Sequence, residues 1–159
     1  MKLLELIGLP VYEIETGKQV SKVKDFRITE QWCITHIELE GSGRKANVIS
    51  VVRWEDVTAC GEDAIMIAND KAIRQTEAIH IERSFLTGKA AMRDLPVVTT
   101  EGSQLGWVAD VYFQPNMGNH ITGLEISDGL LSDLLEGRRQ IDGMSGLKWG
   151  ADVIVVEES

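Results

Sequence analysis

The sequence predicts an all-β fold of two related small barrels in tandem, and three observations carry that expectation. A series of features opening at Leu9-Pro10-Val11 returns from Leu95-Pro96-Val97, and self-similarity at a nearly fixed offset marks a duplicated structural unit. Within each copy, β-branched residues alternate with polar ones over short stretches bounded by Gly, Asp, Asn and Pro, the pattern of half-buried strands joined by tight turns. The copies, 1–68 and 93–159, are too small for two large packed sheets. They suit a compact curled sheet whose closure removes vulnerable edges.

The elements follow in order. Strands are expected near 10–14, 19–29, 32–39, 46–52 and 64–67, with counterparts near 96–99, 105–113, 120–126, 138–142 and 152–156. The first two strands of each copy flank a turn centred on Gly17 or Gly102. After it, Val20, Val23, Asp25 and Phe26 fall opposite Leu105, Val108, Asp110 and Val111. Ile34-Thr35-His36-Ile37-Glu38-Leu39 then matches Ile121-Thr122-Gly123-Leu124-Glu125-Ile126. Each copy closes on a Gly-acid turn, at Gly61-Glu62-Asp63 or Gly150-Ala151-Asp152, followed by an apolar run.

Two segments break this rhythm. Residues 69–92 mix charge with Ala72, Ile73, Ala78, Ile79, Ile81, Phe85 and Leu86, too apolar for a free linker. A partly ordered connector, helical in part or extended, is expected to pack between the barrels. In the second copy, Leu130, Leu131, Leu134 and Leu135 fall on one stripe of a short helix. Asp128 is placed to cap it and Gly137 to end it.

The run from a Leu-Pro-Val opening strand, through Glu101-Gly102-Ser103-Gln104-Leu105-Gly106-Trp107-Val108-Ala109-Asp110-Val111, to a final Gly-acid-apolar strand resembles the PRC-barrel family. The resemblance covers about 1–68 and 93–159. The family is named for the cytoplasmic part of the photosynthetic reaction-centre H subunit, and it also supplies the C-terminal domain of a bacterial ribosome-maturation factor. Membership implies protein contacts and assembly rather than chemistry. Ser21 departs from the pattern, standing where Gly106 stands in the second copy. If that position needs an unusual backbone angle or close approach, Ser21 is strained or the first barrel differs there.

Composition narrows the function classes. The chain has 159 residues, 43% of them hydrophobic and 26% charged, and a net charge of -9, which describes a folded protein. Lys and Arg number 8 against 11 acids in 1–68, 4 against 3 in 69–92 and 4 against 11 in 93–159. An acidic surface repels phosphate, so nucleic acid and anionic membrane are disfavoured partners. Domains this small have thin cores, so contact between them or with a second copy is expected to matter. No apolar run reaches 18 residues and Glu5 interrupts any signal-peptide core. A soluble, cytoplasmic protein is expected, with Cys33 and Cys60 as buried free thiols.

No catalytic set is legible: no nucleophile beside a base, no paired carboxylates, no metal spacing. His36, His80 and His120 lie apart. The expectation is no enzyme, no cofactor and no metal. Asp25 and Asp110, in equivalent places, are read as acceptors that fix a turn or bulge. Glu55-Asp56 and Glu62-Asp63 are read as solvated turns. Trp107 should face outward where Val108 faces inward; it is either covered by the connector or other barrel, or an interface anchor. Leu130, Leu131, Leu134 and Leu135 are either a lid on their own barrel or a patch for a partner helix. These five residues are the candidate partner-binding set. The leading function is a non-enzymatic adaptor that contacts a protein partner or a second copy as a homodimer. A ribosome-linked factor contacting a ribosomal protein is the alternative, with Lys22, Lys24, Arg27, Arg44 and Lys45 as its only RNA footprint. A small-ligand sensor using an inter-barrel cleft near His80 or His120 comes third.

Overall fold

A computed structural model describes residues 1–41, 47–78, 83–88, 91–129, 133 and 137–157. The first sheet runs, in spatial order, β5 (Val57–Cys60), β6 (Ile65–Ile67), β1 (Pro10–Glu13), β2 (Gln19–Ile28), β3 (Ile34–Leu39), β4 (Val48–Arg53) and β7 (Ile73–Glu77). A short β8 (Arg83–Ser84) also joins β2. The second sheet runs β12 (Arg139–Asp142), β11 (Ile121–Ser127), β10 (Gln104–Phe113), β9 (Pro96–Thr99), β14 (Ile154–Val156) and β13 (Leu147–Trp149). Each sheet contains one parallel pair, β1 with β6 and β9 with β14.

Both sheets curl, and the same bulges bend them. Val20 and Lys24 are left unmatched in β2, and Leu105 and Ala109 in β10. Thr35 in β3 and Thr122 in β11 are unmatched likewise. An extra residue on one strand kinks it and raises its twist, so a ten-residue strand can serve two directions of one small barrel. The threonines stabilise their bulges identically: Thr35 Oγ1 donates to Arg27 O and Thr122 Oγ1 to Tyr112 O, each at 3.2 Å. Inward positions carry the core, with Val23, Phe26, Ile28, Val108, Val111 and Phe113 fully buried.

The segment leading into each barrel pairs with the long strand of the other. Lys2 bridges Tyr112 of β10, and Phe113 N–H donates to Met1 O at 2.9 Å. Correspondingly, β8 pairs with Arg27 and Ile28 of β2, and Phe85 N–H donates to Phe26 O at 3.0 Å. The barrels also meet directly. Ile34 N–H donates to Asn119 O, Ile121 N–H donates to Trp32 O, both at 2.8 Å, and Cys33 bridges His120 between them. Trp32, Cys33 and Ile34 are the repeat counterparts of Asn119, His120 and Ile121, so the junction has local two-fold symmetry. Trp32 stacks on Trp149 at 5.8 Å, Trp54 meets Phe113 edge-on at 5.9 Å, and the buried side chains of both halves form one cluster.

The expected strands are all present. The hairpin partners β5 and β13 were not expected, because Val57-Thr58-Ala59-Cys60 and Leu147-Lys148-Trp149 are too short to display an alternating pattern. The connector is extended where it is described, as β7 and β8 after a single turn of 3-10 helix at Asp70–Ala72. The helix expected over 128–137 lies largely outside the described residues, as do Leu130, Leu131, Leu134 and Leu135. Among the described residues, no helix is long and apolar enough to cross a membrane.

Candidate functional site

The two equivalent aspartates sit at the second bulge of each long strand, fully or almost fully buried. Asp25 Oδ1 accepts from the amides of Phe26 (2.7 Å) and Leu86 (2.9 Å), while Oδ2 accepts from the Thr87 amide (3.0 Å) and hydroxyl (2.6 Å). Asp110 Oδ1 accepts from Val111 (2.8 Å) and Leu4 (3.1 Å). Each therefore fastens the lead-in segment of the opposite barrel. Burial pushes the Asp110 carboxyl above its usual range, against the pull of those two amides.

A second pair of equivalent acids, Glu38 and Glu125, is also buried and is held by cations. Glu38 accepts from Arg27 through Nε (3.0 Å) and Nη2, with Lys24 Nζ at 3.5 Å. Glu125 accepts from Lys2 (3.0 Å), Arg138 (2.7 Å) and the Tyr112 hydroxyl (2.9 Å). Burial alone would raise the Glu125 carboxyl, but the bonds from Arg138, Lys2 and Tyr112 outweigh it and hold it below the usual value. Sequence reading passed over these acids because each looks like an ordinary polar position in an alternating strand. A cleft of about 300 Å³ opens near this cluster, lined by Met1, Tyr112, Phe113, Gln114, Thr122, Gly123, Gln140 and Asp142. His120 does not line it.

Trp107 faces outward, as the inward Val108 requires. It remains 43% exposed, beside a shallow groove of about 270 Å³ that it forms with Gln104, Leu105, Gly106 and Asp128. Among the described residues, Ile14 and Met117 are the other exposed large apolar side chains. His36 and His120 do not converge: His36 contacts Thr35 Oγ1 at 2.9 Å and burial lowers the pKa of its imidazole, whereas His120 Nδ1 lies 3.3 Å from Cys33 Sγ. His80 lies outside the described residues. Both cysteines are free and half-buried, and burial pushes the Cys60 thiol up to about 11. Among the described residues no three His, Cys, Asp or Glu side chains gather in a metal-binding group.

Two curled sheets with matching bulges, matching anchoring aspartates and exchanged lead-in segments define a duplicated small barrel. The PRC-barrel domain family matches residues 1–74 and 90–159, and the chain belongs to that family. Among curated proteins, the uncharacterized protein YrrD of Bacillus subtilis (strain 168) is similar to it, 26% identical over 143 residues that make up 90% of this chain and 79% of the relative.

Proposed function

We propose that the chain is a non-enzymatic adaptor that binds a protein partner through the outer face of its second barrel. The observation that supports this reading is Trp107, a large aromatic left 43% exposed on a rigid, doubly paired strand beside a shallow groove. Tryptophan in such a setting is enriched among the residues that dominate interface energies. Polar neighbours, Gln104 and Asp128, supply the rim that gives such a contact orientation. The ribosome-linked alternative loses ground as an RNA reading, because Arg27 and Lys24 are committed to Glu38 and are not free to meet phosphate.

The test is affinity capture from native extract with wild type beside Trp107→Ala, folding being checked by circular dichroism. The adaptor reading expects one specific protein to be retained by wild type and lost, by tenfold or more in affinity (roughly 1.4 kcal/mol or above), in the variant. Equal retention by both proteins would remove Trp107 from the interface and the reading with it.

A further inference from the structure

The two barrels differ at one sheet edge. In the first, β7 runs antiparallel along the outer side of β4, from Val48 opposite Glu77 to Val52 opposite Ile73. The counterpart of β4 is β12, since Val51 pairs with Glu38 just as Gln140 pairs with Glu125. Among the described residues, no strand lies on the outer side of β12.

The direction of its amides follows from one bond. Gly143 N–H donates to Thr122 O at 2.7 Å, and backbone groups alternate sides along an antiparallel ladder. Ile141 and Arg139 therefore turn toward β11, and Gln140 and Asp142 turn their N–H and C=O groups to the open side. The first barrel obeys the same phase: Ala78 N–H donates to Asn47 O at 2.7 Å, which points the amides of Val51 and Arg53 at β7. Gln140 and Asp142 thus offer what Val51 and Arg53 have already used.

We propose that this edge is an interaction surface for a second copy of the chain, the two β12 strands pairing antiparallel about a two-fold axis. The sequence of the edge selects that occupant. Alternation permits registers that place outward residues against outward residues. In the register centred on Gln140, Arg138 of each copy, its Nη1 and Nε already held by Glu125 and Asp133 of its own chain, stands opposite Asp142 of the other, so each edge carboxylate faces a guanidinium rather than a like charge. Gln140 and Asp142 are on one face, their side chains 2.6 Å apart, and Arg138 shares it by the same alternation. In the register centred on Ile141, Gln140 meets Asp142 and Arg139 meets Gly143, and no charges are paired. Residues 138–142 carry two arginines and one aspartate within a half that is otherwise strongly acidic, so this is where two such halves approach with least repulsion. A pairing of identical edges is self-complementary and closes at two copies.

The experiment is sedimentation velocity of the whole chain over a wide concentration range, with three variants. Wild type is expected to show a concentration-dependent monomer–dimer equilibrium. Gln140→Pro should abolish it, because proline removes an outward N–H that no described residue accepts, and edge strands tolerate proline. Asp142→Lys, an exposed change that tests the pairing even if the proline variant fails to fold, should weaken dimerisation about tenfold. Trp107→Ala should leave it unchanged, which keeps this edge separate from the adaptor surface. A wild type that stays monomeric at every reachable concentration overturns the proposal. So does a dimer that persists in Asp142→Lys and folded Gln140→Pro, or one lost only in Trp107→Ala.

Discussion

At one equivalent place the two barrels meet the same geometric demand by opposite means. Just past the first bulge, the second barrel has Gly106 at φ 147°, where an added Cβ would come within 2.2 Å of Ser127 O. The first barrel has Ser21, which stays out of the left-handed region and donates its hydroxyl to the carbonyl of Glu40, the counterpart of Ser127, at 2.8 Å. Of the two outcomes the sequence left open, the barrel differs and the serine is not strained. A close approach of strands can be met by removing the side chain or by giving it a bond to make. The anchoring aspartates show a similar contrast, since Asp25 uses both oxygens and Asp110 uses one.

The largest effect that sharpens this comparison is expected from Gly106→Ala. A methyl forced against backbone, in a conformation only glycine adopts freely, should cost about 4 kcal/mol in chemical denaturation; a cost below about 1 kcal/mol would mean that the strands can part. Asp25→Asn comes next. An amide can replace Oδ1 as an acceptor but not Oδ2, so the Thr87 amide loses its partner and faces a donor while the Thr87 hydroxyl must turn to accept, at about 3 kcal/mol. Ser21→Ala, which removes one partly solvated hydrogen bond, should cost only about 1 kcal/mol.

Asp110→Asn should be the mildest, within about 1 kcal/mol, because both of its amide donors bond the one oxygen that asparagine keeps. Its signature is a pH profile. The folded-state pKa of Asp110 is raised, chiefly by burial, so the stability tied to its protonated form is fully present below the unfolded pKa and is lost as pH rises through the folded value. The melting temperature of Asp110→Asn relative to wild type should therefore climb from acid pH to neutral. A flat difference would show that the Asp110 carboxyl ionises without cost.

The strand plan was legible because both copies keep the period of two, and because Gly17, Gly102, Gly61 and Gly150 punctuate it. The anchoring role of Asp25 and Asp110 was legible in kind, as acceptors at a bulge, but not in target. Leu86 and Leu4 lie 61 and 106 residues from their aspartates, and no local pattern encodes such a meeting. Glu38 and Glu125 escaped notice for a related reason: Lys2, Arg138 and Tyr112 gather around Glu125 only after folding. β7 and β8 were hidden because a strand in a charged connector is fixed by the edge it joins rather than by its own alternation.

The exchange of lead-in segments has a thermodynamic consequence. Detaching one barrel would strip a paired segment from the other and expose the Asp25 or Asp110 anchor to water, so half-unfolded states carry penalties in both halves at once. Heat should melt the chain in a single transition whose calorimetric and van't Hoff enthalpies agree. The amides of Phe85 and Phe113, on opposite halves, should then exchange their hydrogens with the same opening free energy.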